Sequence, residues 1–144
     1  MAAASGEGGA APLYRYRFGA AEFDEARFEL RIAGLAVEAQ RKPLEILSLL
    51  LALAGEVVTH EELLRRVWLN RPTVPNVIAN AMSKLRDALG PEEAARIVTI
   101  PRVGYRFEGT VERLAVGRQL ASGLALQAGM AVPGRDGALL DQLL

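Results

Sequence analysis

The chain has 144 residues, of which 51% are hydrophobic, so it can form one ordinary domain with a sizeable core plus tails. It has no cysteine and one histidine, which excludes a disulfide framework, a Cys/His zinc site and a Cys-His nucleophile. Seventeen Lys and Arg balance seventeen Asp and Glu, and a net charge of zero is a poor signature for a polyanion binder. The distribution is less even. Residues 13–64 carry six basic against nine acidic side chains, and residues 71–106 carry six basic against three acidic. The positive end of this charge dipole falls on the segment whose pattern is most unusual.

Residues 1–13 are rich in Ala and Gly and lack the basic start and apolar stretch of a signal peptide, so they read as a disordered leader and the protein as cytoplasmic. Residues 14–39 break into short alternating pieces, Y-R-Y-R-F, A-E-F-D, R-F-E-L-R-I and L-A-V-E-A, which predict an antiparallel sheet of about four strands. In the third piece Phe28, Leu30 and Ile32 are expected on a buried face, with Arg27, Glu29 and Arg31 in water. After Pro43 the spacing of Leu44, Leu47, Leu50 and Leu51 turns helical, and Gly55 stops it. The longest apolar run, 46–54, is far short of the roughly 20 residues of a membrane-crossing helix.

Val57-Val58 is too short to promise more than a one-pair strand. T-H-E-E at 59–62 is a capping box, in which Thr59 caps a second helix and Glu62 reaches back; that helix is expected to run to Trp68. Asn70-Arg71-Pro72-Thr73 forms the turn. A third helix is expected from about Pro75 to Leu89, closed by Gly90-Pro91. Its wheel has two sides. Ile78, Met82, Leu85 and Leu89, with Ala81 at the margin, face a core, while Asn76, Asn80, Ser83, Lys84 and Asp87 face out. Asn76, Asn80 and Lys84 line one strip, and amide and ammonium groups suit base edges and phosphates. Two strands follow, 97–100 and 104–107, joined by Pro101-Arg102-Val103. The order of sheet, three helices and hairpin predicts an α+β fold, a winged helix-turn-helix with an N-terminal antiparallel sheet and a C-terminal β-hairpin wing.

E-L-L-R-R-V-W at 62–68, N-V-I-A-N-A-M-S-K-L-R-D-A-L-G at 76–90 and I-V-T-I-P-R-V-G-Y-R-F at 97–107 carry a resemblance to the C-terminal effector domain of OmpR/PhoB-type transcriptional regulators, within it to the CadC-like branch. The resemblance spans about residues 14–114. It implies sequence-specific binding of double-stranded DNA in transcription regulation, with the third helix in the major groove and the wing on the backbone or in the minor groove. Paired half-sites bound by a homodimer or in tandem, and RNA polymerase as a further partner, belong to the same implication. The turn at 69–74 is shorter than the polymerase-contacting loop of the response-regulator relatives.

Carried onto this sequence, the resemblance makes Ser83 a base or phosphate contact and Arg86 a phosphate contact, and gives Thr99 and Tyr105 hydroxyls aimed at the backbone. The indole of Trp68 matches a further phosphate donor. On their chemistry alone, Arg86 also fits a stem lying over the core with its head in water, and Tyr105 and Trp68 fit core rings. Arg102 heads the wing tip, where an arginine can enter a narrow minor groove; family wings often place the basic residue one position earlier, at Pro101 here.

His60 has no ligand or nucleophile partner in sequence and reads as structural. No GxxxxGK[ST], G-x-S-x-G or HExxH occurs, so no cofactor, metal or enzymatic activity is expected. Residues 115–144 are rich in Ala, Gly and Leu and are expected to be a tail or linker, with short pieces packing on the domain or on a second copy. Their end, V-P-G-R-D-G-A-L-L-D-Q-L-L, resembles the lead-in to bacterial Ser/Thr kinase domains fused behind winged helices, without the phosphate-binding glycine loop. That implies the N-terminal part of a larger fusion protein. The alternative to DNA binding is thus a winged helix used as a protein-interaction or regulatory module, attached for instance to a kinase.

Overall fold

The computed structural model describes residues 10–120. Four strands open the chain: β1 (Ala10–Phe18), β2 (Ala21–Asp24), β3 (Glu29–Ile32) and β4 (Leu35–Val37). They pair antiparallel in sequence order, with Tyr16 opposite Phe23, Phe23 opposite Leu30 and Leu30 opposite Val37. This row of apolar pairs is the buried face. Tyr16, Phe18, Phe23 and Leu30 are each at most 1% exposed.

Two details differ from the sequence pattern. Phe28 stands in the turn before β3 with a left-handed φ of 54°, so it does not continue the alternation. Its ring instead meets Phe23 edge-on at 5.3 Å and lies under the Arg41 guanidinium at 4.1 Å. The sheet also gains a fifth strand, β8 (Glu112–Leu120), in the order β4-β3-β2-β1-β8. Strand β1 therefore begins within the expected leader, and β8 runs into the expected tail. The remainder of both segments, including the kinase-like stretch, lies outside the described residues.

Helix α1 (Arg41–Ala52) buries Leu44, Ile46, Leu47, Leu50 and Leu51. Its exit is tied down where Gly55, with a φ of 90°, donates its N–H to the Phe107 carbonyl at 2.9 Å. That bond begins a pairing the sequence undersold. Strand β5 (Val57–Thr59) makes three antiparallel pairs with β7 (Gly104–Phe107), which also pairs with β6 (Ile97–Ile100). The wing is thus a three-stranded sheet of order β5-β7-β6. Burial of Val58, opposite Tyr105 across the β5–β7 pair, is what recruits so short a segment.

Helix α2 (His60–Arg66) is capped by Thr59, whose hydroxyl accepts the Glu62 N–H at 3.1 Å. The Glu62 carboxylate does not complete the expected box. It pairs with Arg65 at 2.6 Å and Arg66 at 2.7 Å within the same helix. Leu69 and Asn70, both with left-handed φ, then turn the chain toward α3 (Val77–Ala94). Gly90, at φ 85° and ψ 161°, interrupts α3 where the Gly-Pro stop was expected, leaving a short turn before β6.

The described residues fall into two units, 15–114 and the pair 10–14 with 115–120. Every buried apolar residue among those described lies between Tyr16 and Phe107, within the first unit. Phe18 and Phe107 meet there edge to face at 5.1 Å, joining the N-terminal sheet to the wing.

Candidate nucleic-acid interface

Helix α3 owes its position to one apolar side. Ala81, Met82, Leu85 and Leu89 are at most 7% exposed, whereas Ala79, Asn80, Ser83, Lys84 and Asp87 are exposed. Ile78 is half-buried rather than buried. Asn76 stands at the N-cap, exposed, and its side chain makes no capping bond. Asn76, Asn80, Ser83 and Lys84 therefore share one outward strip that extends about 12 Å along the helix axis, comparable to the width of the DNA major groove.

Lys84 is steadied from an unexpected quarter. Its ammonium donates to the Gln40 amide oxygen at 3.3 Å, 44 residues away in sequence. Gln40 is the N-cap of α1, so the start of that helix borders the strip. Nothing local in the sequence signals this contact.

The other expected residues divide. Arg102 is exposed at the wing turn in a left-handed conformation, φ 66°. Thr99 is exposed on β6, with its hydroxyl accepting from Arg86 at 2.9 Å. Arg86 is half-buried, and the same guanidinium nitrogen donates to the Ile97 carbonyl at 3.0 Å. Tyr105 and Trp68 are core residues, 7% and 9% exposed. His60 is structural: its ring meets the Tyr105 ring at 5.7 Å, and its backbone N–H donates to the Val103 carbonyl at 3.0 Å, pinning the wing turn to the start of α2. Among the described residues no group of three or more His, Cys, Asp or Glu could hold a metal ion, and no helix is long and apolar enough to cross a membrane.

A buried carboxylate follows the Gly90 break. Glu93, 5% exposed, accepts the Ala20 N–H at 2.9 Å and the Arg96 Nε–H at 2.8 Å. Burial alone would raise its pKa, but the Ala20 hydrogen bond together with the hydrogen bond and charge of Arg96 outweigh that and hold it below the ordinary glutamate range.

The family described as "Transcriptional regulatory protein, C terminal" matches residues 34–107, just over half of the chain and all three helices with the wing. The chain belongs to this family. Its members are transcription regulators rather than enzymes.

Among solved structures, this family member is similar to the response regulator DrrB of Thermotoga maritima, an OmpR/PhoB homolog. Identity is 35% and the TM-score 0.60, over 66% of this chain and 44% of DrrB. The chain thus spans less than half of DrrB's length. The Klebsiella pneumoniae RstA DNA-binding domain, solved in complex with the RstA box, shares the fold at 24% identity and a TM-score of 0.56, covering 65% of this chain and 95% of that domain. The DNA-binding domain of Escherichia coli CadC does so at 22% identity and a TM-score of 0.59, covering 72% of this chain and all of that one. No match was found among the curated proteins. The expected winged helix-turn-helix of the OmpR/PhoB type is therefore the fold of this chain.

Proposed function

We propose that this protein binds duplex DNA sequence-specifically in the cytoplasm as part of transcription regulation, laying α3 in the major groove and the wing along the backbone or minor groove. The carrying observation is the exposed strip of Asn80, Ser83 and Lys84 on a helix whose other side buries Ala81, Met82, Leu85 and Leu89. Such a helix offers base-reading groups on a rigid support without disturbing the core. Asn80 suits bidentate pairing with adenine, and Lys84 suits guanine or phosphate. Asn76 and Ser83 extend the strip, and Arg102 reaches out from the wing. Asp87, also exposed, would repel phosphate, so the groove-facing part ends near Lys84.

The test is a titration with random-sequence duplex at several salt concentrations, followed by selection of preferred sites. Affinity should fall steeply with salt. Asn80→Ala and Lys84→Ala should keep the fold while losing roughly 1–3 kcal/mol of preference for the selected site. Absence of salt-dependent affinity for any duplex would overturn the proposal and favour a protein-interaction module.

A further inference from the structure

Arg86 is where the family resemblance implies a phosphate contact, yet one terminal nitrogen of its head is already engaged within the protein. One terminal nitrogen of the guanidinium donates to both the Ile97 carbonyl at 3.0 Å and the Thr99 hydroxyl at 2.9 Å. That nitrogen carries two hydrogens, so both are used. The guanidinium carbon also lies 5.7 Å from the centre of the Tyr105 ring, and Tyr105 is the register partner of Thr99 across the wing. Arg86 therefore meets both strands of the hairpin, by hydrogen bonds on β6 and over the ring on β7.

The position of these contacts in the chain matters. Arg86 lies before the break at Gly90, and all its wing partners lie after it. Where the backbone departs from helical geometry, the chain by itself does little to fix the angle between α3 and the wing. Leu85 and Leu89 anchor the helix beneath, both at most 1% exposed, and Arg86 reaches from that anchored helix across the break. Its near neighbour Lys84 sits on the exposed strip.

We propose that Arg86 is a positioning residue: it fixes the wing relative to the recognition strip and so sets the spacing at which helix and wing meet DNA, without donating to phosphate. This rests on the DNA-binding reading above, and the two are separable by experiment. In the full chain, R86A and T99V are titrated with duplex over a range of salt, and amide hydrogen exchange is followed without DNA. A lost strap weakens binding about tenfold, a loss typical of a charge-assisted bond, while leaving the salt slope unchanged. Amides of β6 should exchange faster, and those of α1 should not. T99V keeps the guanidinium charge and should show smaller changes in the same directions.

A slope shallower by about one unit in R86A would make Arg86 a phosphate contact and overturn the proposal, whatever the exchange shows. Unchanged β6 exchange in R86A would overturn it as well. If R86A unfolds globally, T99V decides: faster β6 exchange at an unchanged slope supports the strap, and unchanged exchange refutes it. Should the wild-type chain bind no duplex in a salt-dependent manner, the DNA reading fails, while β6 exchange still decides the strap.

Discussion

Gly104 and Glu93 show how single residues hold separate elements together: the first lets β5 and β7 pair closely, and the second ties the end of α3 to the β1–β2 turn. A Cβ on Gly104 would fall on the Val58 carbonyl and within 2.8 Å of the Thr59 Cα, so only glycine lets β5 and β7 approach. Gly104→Ala should cost roughly 2–4 kcal/mol, read as a lowered melting temperature, because backbone rather than a flexible side chain must give way. An unchanged melting temperature would mean that β5 does not pair as observed.

Glu93 makes stability depend on acid. A carboxylate whose pKa is lowered by folding contributes stability that is fully present above its unfolded pKa, about 4.3, and lost as pH falls through the folded value. Glu93→Gln removes that contribution. The variant should melt below the wild type at neutral pH, and the gap should close on acidification below about pH 4. Parallel melting curves across that range would show that the Ala20 and Arg96 contacts contribute nothing.

At the scale of elements, α3 divides its tasks by burial. Leu85 is fully buried, so Leu85→Ala should cost about 2–5 kcal/mol through lost contacts and a cavity. Ile78 shares the same wheel face but is half-buried near the helix start, so Ile78→Ala should cost only about 1 kcal/mol. Chemical denaturation of the two variants checks the ranking. A charge at Ile78 is also milder than the wheel suggests, because the side chain reaches water.

The wing tip permits a cleaner substitution. Arg102 occupies the left-handed region that glycine tolerates without cost, so Arg102→Gly removes the guanidinium without straining the turn. If Arg102 meets a phosphate or a narrow minor groove, this variant should keep its stability and bind all duplexes more weakly, with a salt slope shallower by roughly one unit. An unchanged slope would place the tip away from DNA.

For the whole molecule, the buried residues decide what is dispensable. Every described core residue lies between Tyr16 and Phe107, and residues 15–114 form one compact unit. A protein trimmed to 15–114 should therefore fold cooperatively and retain its salt-dependent affinity for duplex. It loses the start of β1 and most of β8, so some fraying at that sheet edge is expected. Failure to fold would make those strands part of the core.

Much of this was legible beforehand. The alternation in 14–37, the leucine spacing of α1, the two-sided wheel of α3 and the Gly-Pro stop are local patterns with fixed periods, and a residue's face follows from counting along the chain. The exposed strip of Asn76, Asn80, Ser83 and Lys84 was readable for the same reason. Other contacts were not: Lys84 with Gln40, 44 residues apart; Glu93 with Ala20, 73 apart; Arg86 with Thr99, 13 apart and across the Gly90 break. The pairing of β5 and the addition of β8 belong with them, whereas the burial of Trp68 and Tyr105 decides between two readings that the sequence left open. The sequence alone determined which faces of each element are apolar, because periodicity is a property of a single segment. Tertiary structure decided which polar groups are occupied and which remain to meet a partner, because a hydrogen bond or a buried ring depends on where two distant backbones come together.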